Sequence, residues 1–199
     1  MTQAREPPEV SERPYLRGEN PRAQSGFGGD ERRWELARRP IVTAIDRDGS
    51  FLAIGCANGL LLESVVRWAS RRIEPYGLDF APMLVDLARR RLPQWADRIF
   101  LGDTLSWEPP RRFDFVRTEL CYVKPACERE LVERLIARVV APGGTLIVCC
   151  YGSRRDPLAR GRLADKLRSW GHEPALELER EALEAGGPLL ELAALRAPM

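Results

Sequence analysis

The sequence contains one histidine, two lysines and no hydrophobic run long enough to cross a membrane. Its 199 residues carry 31 Lys and Arg against 29 Asp and Glu, for a net charge of +2. This balance lacks the basic excess of proteins that bind nucleic-acid backbones, so we expect no nucleic-acid partner. A membrane-spanning helix needs about 20 consecutive apolar residues. No early segment joins a charged start to an apolar core, so we expect a cytoplasmic protein without a membrane partner.

Cysteine is present, but not in a pattern that binds metal or forms a disulfide framework. The count is odd and no Cys-x-x-Cys pair occurs. Both facts argue against a structural zinc site and against paired disulfides. We therefore predict free thiols and no metal. The cysteines are Cys56, Cys121, Cys127, Cys149 and Cys150.

The composition is that of a globular chain with 44% hydrophobic residues, long enough to bury a substantial core. Residues 1–24 are polar and proline-rich, which predicts a mobile N-terminal arm. Residues 25–47 are predicted to form a helical lid or extension, with Asp30 as the N-cap and a break at Pro40. The main domain is predicted over 48–199.

One stretch organises the rest of the chain. An apolar run at 51–54 enters the loop Gly55-Cys56-Ala57-Asn58-Gly59, after which apolar residues recur at helical spacing to about residue 72. Glycine lets a backbone approach a ligand closely because it has no Cβ. The helix N-terminus offers unpaired N–H groups to a carboxylate or phosphate. The pattern predicts strand, glycine loop and helix, which is also an ordinary turn of any α/β protein.

Further strands alternate with helices along the chain, which predicts a mostly parallel sheet covered on both faces. The tail has the pattern of a β-hairpin over 175–180 and 189–195. The fold class is therefore α/β, a Rossmann-like three-layer αβα sandwich. Strands are predicted at about 50–54, 75–79, 98–103, 113–123 and 145–151, with helices at 59–72, 81–91, 128–140 and 158–170.

Two acids, Asp79 and Asp103, follow the second and third predicted strands. Ligands of parallel sheets bind at the carboxyl ends of the strands. An acid about 20 residues beyond the glycine loop is placed to accept hydrogen bonds from a ribose. Asp103 could accept from an exocyclic amine. Each acid alone is more often a helix or turn cap, but the combination with the loop and a Pro-Gly-Gly turn at 142–144 is far more specific.

These motifs resemble those of class I S-adenosylmethionine-dependent methyltransferases, from about residue 48 to the end. The resemblance implies a seven-stranded sheet with an antiparallel last strand, S-adenosyl-L-methionine as the cofactor, and methyl transfer. We expect a small-molecule acceptor as the partner, and the sequence leaves the oligomeric state open. The polar arm and Gly-Phe-Gly-Gly loop also resemble small bacterial members. The motifs are Phe51–Gly59, Tyr76–Asp79, Leu101–Asp103, Phe113–Val123 and Ala141–Gly144.

The resemblance also implies roles for individual residues. It puts the ribose on Asp79, with Phe80 against the adenine and the adenine amine near Asp103 and Thr104. The methionine part of the cofactor would lie against Gly55, Cys56, Ala57 and Gly59.

The residues after the fourth strand should line the methyl-transfer site. Glu119 is the candidate general base and Tyr122 the next, while Arg117 is a candidate substrate-binding residue. A structural ion pair between Glu119 and Arg117 explains the acid equally well. Phe27 and Trp34 are candidates for a substrate-facing lid, and packing on the sheet edge is the alternative.

Two residues depart from the family pattern. Ala53 replaces the usual acid of the first strand, and Ala57 replaces the usual second glycine of the loop. These changes leave open a cofactor-binding or regulatory module that has lost catalysis. A dehydrogenase is disfavoured because Leu60 stands where that fingerprint needs glycine. The run 118–121 also lacks the Asp/Asn-Pro-Pro-Tyr/Phe motif of DNA amino-methyltransferases.

Overall fold

The centre of the molecule is a single sheet of seven strands. The computed structural model describes residues 13–152, 162–181 and 188–199. The strands are β1 (Gly49–Ile54), β2 (Ile73–Asp79), β3 (Ile99–Leu101), β4 (Phe113–Glu119), β5 (Val140–Tyr151), β6 (Leu176–Glu181) and β7 (Pro188–Arg196). They lie in the order β3-β2-β1-β4-β5-β7-β6, with β1 to β5 parallel and β7 antiparallel to both of its neighbours. The predicted sheet is confirmed.

Helices cover both faces of this sheet. They are α1 (Arg13–Leu16), α2 (Glu31–Arg38), α3 (Leu60–Trp68), α4 (Pro82–Arg91), α5 (Glu128–Arg134) and α6 (Arg162–Ser169). Successive strand residues point to opposite faces. Phe51 and Ala53 of β1 pack with α2, α3 and α4, while Leu52 and Ile54 pack with α5 and α6. The three-layer αβα sandwich is therefore confirmed. No helix in the described ranges is long and apolar enough to cross a membrane.

Several elements differ from their predicted bounds. The fifth strand begins at Val140, because Val140 pairs with Phe113 and the pairing shifts register before resuming at Thr145. The Pro-Gly-Gly turn therefore forms an irregularity inside β5 and does not precede it. The α3 helix ends at Trp68 and β3 is only three residues long. The predicted helix over 158–170 is Arg162–Ser169, and residues 158–161 lie outside the described part of the chain.

The N-terminal extension follows its sequence signals. The Asp30 carboxylate accepts a hydrogen bond from the Arg33 N–H at 2.8 Å, as predicted for an N-cap. The α2 helix ends before Pro40, and the chain continues as a 3-10 helix over Arg39–Ala44. Mobility of residues 1–24 stays a prediction, and residues 1–12 lie outside the described part.

Of the predicted lid aromatics, Trp34 packs in the core and the half-buried Phe27 packs against it, and neither lines the cavity at the strand ends. Trp34 is 3% exposed and its indole N–H donates to Ser64 Oγ at 3.0 Å. Phe27 lies edge-on to Trp34 with ring centroids 5.1 Å apart. The Trp34 indole therefore packs against the buried side of α3, the helix to which Ser64 belongs. The alternative interpretation, packing against the sheet layer, is the one that the geometry supports.

We predict that Trp34→Ala is strongly destabilising. Truncating a buried tryptophan costs about 3–5 kcal/mol, equivalent to a melting temperature about 6–20 °C lower for a chain of this size. Thermal unfolding followed by circular dichroism measures the shift. Arg32→Ala, at an exposed position of the same helix, is the matched control and should melt with the wild type. An unchanged melting temperature for Trp34→Ala would contradict the core assignment.

Candidate active site

The carboxyl ends of β1, β2, β3 and β4 border a cavity of about 330 Å³. This is the edge of a parallel sheet where ligands are expected to bind. Most of the predicted site residues meet there, although they lie far apart in the sequence. They are Gly55, Ala57, Asp79, Phe80, Asp103, Thr104, Glu119 and Tyr122.

The Asp79 carboxylate fixes the glycine loop at the mouth of β1. Its Oδ2 accepts a hydrogen bond from the Ala57 N–H at 2.8 Å, and its Oδ1 accepts from the Ala81 N–H at 3.0 Å. The second bond closes a turn that leads into α4, whose N-cap is Ala81, so Asp79 holds the turn and does not cap the helix itself. Ala57 has a φ of 46°, a left-handed backbone that favours glycine. Asp79 thus holds an unfavourable loop conformation in place.

Cys56 and Gly59 lie on the side of the loop that faces away from the cavity, and neither residue lines it. Cys56 is buried, with its Sγ only 2.8 Å from where a Cβ of Gly77 would lie. Burial raises the pKa of the Cys56 thiol well above its ordinary value. Gly59 has a φ of 79° at the start of α3, and a Cβ there would collide with Leu92. Both residues shape the loop through packing.

A buried polar network lies directly beneath the cavity. The Arg117 guanidinium is ion-paired with Glu119, and it donates to the hydroxyls of Tyr122 at 2.8 Å and Tyr151 at 3.3 Å. The Tyr122 hydroxyl donates in turn to Glu119 Oε1 at 2.7 Å. Arg117 is 2% exposed and is absent from the cavity lining, so the structure gives it no surface toward a substrate. The ion pair considered from the sequence is present.

This network sets the protonation of the two candidate catalytic side chains. Burial raises the pKa of Glu119, but the charges of Arg117 and Arg38 and the Tyr122 hydrogen bond outweigh it, so the pKa lies below the ordinary 4.5. Burial, reinforced by the Glu119 charge, holds the pKa of Tyr122 well above 10.0. At neutral pH Glu119 is therefore a carboxylate and Tyr122 a neutral phenol.

The Tyr122 ring lies against the first glycine of the loop. An added Cβ on Gly55 would collide with the Tyr122 ring at Cζ, and Gly55 has a φ of 67°. Glycine is thus required at position 55 for two reasons, its left-handed backbone and the aromatic ring packed on it. The contact joins the loop after β1 to the turn after β4.

The N-terminal segment covers the cavity, but the residues that do so are not the aromatic residues predicted for the lid. Tyr15, Ser25, Gly26 and Arg38 complete its lining. Tyr15 packs against the small apolar cluster that includes Ala57. Burial and the charges of the acids below it raise the pKa of the Tyr15 phenol. The one sequence signal was Tyr15-Leu16, an aromatic-aliphatic pair within a polar arm.

One hydrogen bond ties this cover to the glycine loop. The Asn58 side chain is fully buried, and its Nδ2 donates to the Pro21 carbonyl at 2.7 Å. Its Oδ1 accepts from the Leu60 N–H at 3.1 Å, capping α3. The cover and the loop therefore share one side chain.

A second hollow of about 560 Å³ opens at the opposite edge of the sheet, where β1 and β2 begin. Its charged groups are already paired with one another. Glu74 lies 3.4 Å from Arg98 and 3.6 Å from Arg111, and Ser50 donates to Asp114. Since parallel sheets bind ligands at the other edge, the cavity at the carboxyl ends is the stronger candidate.

A glycine loop after β1, an acid after β2 and a cavity at the carboxyl ends define a Rossmann-like protein that binds a nucleoside-containing cofactor. The family described as a methyltransferase domain matches residues 51–144, which hold that loop and that acid. Residues 51–144 are therefore a methyltransferase domain, as the sequence motifs predicted. Among curated protein sequences, none matches this chain.

Solved structures share the fold at low sequence identity. The N-methyltransferase NodS from Bradyrhizobium japonicum WM9, in complex with S-adenosylhomocysteine, is 20% identical with a TM-score of 0.58, over 96% of this chain and 94% of that one. A Burkholderia thailandensis 1,6-didemethyltoxoflavin-N1-methyltransferase is 16% identical with a TM-score of 0.63, over 85% and 80%. A putative methyltransferase in complex with the Haloferax volcanii Trm112 activator is 17% identical with a TM-score of 0.65, over 89% and 94%.

We predict that Asp79→Ala weakens S-adenosylhomocysteine binding tenfold or more. A hydrogen bond to a charged group contributes about 1.5–3 kcal/mol, and the substitution also removes the acceptor of the Ala57 N–H. Isothermal titration calorimetry measures the change. Asp86→Ala, at an exposed position of α4, is the control and should bind like the wild type. An unchanged dissociation constant for Asp79→Ala would show that Asp79 only caps the backbone.

We predict that Glu119→Gln destabilises the protein most at neutral pH. Leaving Arg117 buried without its ionic partner should cost about 3–5 kcal/mol. Because the folded-state pKa of Glu119 is lowered, the stability it contributes is present above its ordinary, unfolded pKa of 4.5 and is lost as pH falls through the folded pKa. Urea unfolding at pH 7, 5 and 3 should show the two proteins converging in acid.

The matched control for that series is Glu133→Gln, which removes an exposed partner of Arg129. An exposed ion pair contributes at most about 1 kcal/mol, so this variant should stay close to the wild type at each pH. A constant difference between wild type and Glu119→Gln from pH 7 to pH 3 would mean that the charge of Glu119 does not stabilise the fold.

Proposed function

We propose that this methyltransferase acts on a small-molecule acceptor. The supporting observation is the N-terminal cover, in which Tyr15, Ser25 and Gly26 lie on the cavity that the strand ends border. A macromolecule would have to bring its reacting atom past this segment, whereas a small molecule can be enclosed by it. The near-neutral net charge of +2 also offers no extended basic surface for nucleic acid.

The cavity residues suit a cofactor that joins a nucleoside to an amino acid. The Asp79 carboxylate is placed for ribose hydroxyls at the end of β2. Beyond β3, Thr104 Oγ1 is buried with no hydrogen-bond partner among the described residues, and Asp103 lies next to it in the lining. An unpaired buried hydroxyl is costly unless a ligand completes it, so Thr104 fits a polar adenine edge. When bound, S-adenosylmethionine supplies the reactive methyl group.

We infer that this chain contributes alignment and exclusion of water more than proton transfer. Glu119 is bound to Arg117 and Tyr122, and its lowered pKa makes it a weak base. Tyr122, with a raised pKa, keeps its proton and lies at the loop. Tyr122 is then placed to position the acceptor beside the sulfonium. An acceptor nucleophile with a free lone pair suits such a site, because it needs no strong base before transfer.

The second candidate function is a cofactor-binding module without catalysis. Ala53 favours it, because this fully buried residue stands where the family places an acid, and its register partner on β4 is Arg117. The strained φ of Ala57 favours it as well. A domain with these changes could bind the cofactor and act through a partner protein.

Two measurements on the same preparation test the proposal. We expect calorimetry to show one S-adenosylhomocysteine bound per chain. We also expect radiolabelled S-adenosylmethionine, incubated with a cell extract and the protein, to pass label to a low-mass fraction. The Asp79→Ala variant is the control and should pass much less.

The outcomes separate the alternatives. No heat at millimolar S-adenosylhomocysteine would contradict the methyltransferase function. Transfer of the labelled methyl group to protein or nucleic acid would contradict the proposal of a small-molecule acceptor. Binding without any labelled product, over extracts of several sources, would favour the non-catalytic module.

A further inference from the structure

Arg38, at the end of α2, extends into the cavity with an unpaired hydrogen-bond donor. Its Cζ lies 3.4 Å from the Tyr151 ring centroid, and 5.3 and 5.2 Å from those of Phe27 and Trp34. These aromatic rings hold the guanidinium by cation–π contact. Its Nη1 is buried and has no hydrogen-bond partner among the described residues. Because a buried charged donor without an acceptor is costly, the site calls for an anionic oxygen from a ligand.

Among the residues that the structure describes, no carboxylate fills this need. Within the described ranges, Arg38 forms no ion pair, although Glu119 is close enough for their charges to interact. Glu119 Oε1 is already shared by Arg117 and Tyr122. Its Oε2 faces the Cys121 thiol at 3.5 Å, a weak donor. One end of the cavity therefore presents an arginine that needs an anion, beside a carboxylate with an oxygen available to a cation.

The neighbouring strand explains why the carboxylate sits there. Ala53 on β1 and Arg117 on β4 are register partners, so their side chains project to the same face of the sheet. Arg117 Nη1 lies 3.4 Å from the Ile54 carbonyl, at the end of β1. An acid at position 53 would lie beside Arg117 and compete with Glu119 for it. The negative charge absent from β1 is thus found one strand away, at the end of β4.

We propose that Arg38 and Glu119 bind the amino-acid end of the cofactor, with Arg38 on its carboxylate and Glu119 Oε2 on its ammonium. This assignment rests on the proposed function. The cofactor's zwitterion needs one cationic donor and one anionic acceptor, and this end of the cavity supplies both. Asp79 and Asp103 serve the nucleoside end. The alanine at position 53 is then a relocation of the ammonium-binding carboxylate and not a loss of cofactor binding.

Three ligands of graded structure test the assignment by calorimetry. S-Adenosylhomocysteine carries both charged groups, its decarboxylated analogue carries only the ammonium, and 5′-methylthioadenosine carries neither. We expect Arg38→Gln to weaken S-adenosylhomocysteine binding about tenfold to hundredfold, as the loss of a charged hydrogen bond implies. Binding of 5′-methylthioadenosine should be unchanged. The wild type should bind the decarboxylated analogue more weakly than S-adenosylhomocysteine by that same factor. Arg38→Gln should bind these two ligands with equal affinity.

Two further variants sharpen the test. Arg38→Lys keeps the charge but lacks the planar guanidinium, so its affinity for S-adenosylhomocysteine should lie between those of the wild type and Arg38→Gln. If Arg38→Gln fails to fold, Arg38→Lys provides the test of the carboxylate contact. Glu119→Gln should weaken the binding of both ligands that carry the ammonium and leave the binding of 5′-methylthioadenosine unchanged. Arg39→Gln is the control, because Arg39 follows Arg38 in the chain, is exposed and pairs with Glu35. It should bind all three ligands like the wild type.

Several results would overturn the proposal. One is unchanged S-adenosylhomocysteine binding in Arg38→Gln. Another is an equal loss for S-adenosylhomocysteine and 5′-methylthioadenosine, which would mark Arg38 as a structural residue. If the wild type bound neither ligand, the cofactor assignment itself would be wrong, and the proposal with it. Wild-type binding of 5′-methylthioadenosine as tight as that of S-adenosylhomocysteine would refute the amino-acid contacts alone.

Discussion

The guanidinium of Arg117, buried within the sheet layer, is the constraint on which the site depends. A charge removed from water must be paired and hydrogen-bonded, or it costs several kcal/mol. Glu119 and two tyrosine hydroxyls pair with the two Nη groups, while the buried Nε has no hydrogen-bond partner among the described residues. In doing so they fix where the chain turns after β4, and they bring the Tyr122 ring onto Gly55. The glycine loop of β1 and the turn of β4 are therefore held together by one buried cation.

Asp79 performs the corresponding task on the other side of the loop. Its two oxygens accept from the Ala57 and Ala81 N–H groups, so one carboxylate sets the end of β1 and the beginning of α4. Ala57 keeps its left-handed backbone because the hydrogen bond holds it there. The glycine loop thus lies between the polar network of Arg117 and the carboxylate of Asp79. Because the loop is fixed on both of these sides, the shape of the cavity that it borders is fixed as well.

The fold could be predicted from the sequence because strand and helix periods alternate regularly, and Asp79 and Asp103 could be found because they end strands. Arg38 could not, since nothing local distinguishes it from the other arginines of α2; only its position over β5 places it at the cavity. Trp34 was misplaced because its closeness in sequence to a glycine loop suggested a lid, while packing against α3 turned it inward. The irregularity in β5 was missed because a Pro-Gly-Gly turn ordinarily separates a helix from the next strand, whereas here Val140 already pairs with Phe113 before the turn.

The side-chain amide of Asn58 makes two hydrogen bonds that connect different parts of the site. Its N–H₂ donates to the chain that covers the cavity, and its carbonyl caps the helix that leaves the loop. Aspartate lacks the donor and alanine lacks both functions, so substitution there removes more than one contact. Because this amide joins the loop to the cover, a ligand that fixes the loop should also stabilise the contact between the loop and the cover. By reciprocity, loss of that contact should change the affinity for the ligand by the same factor.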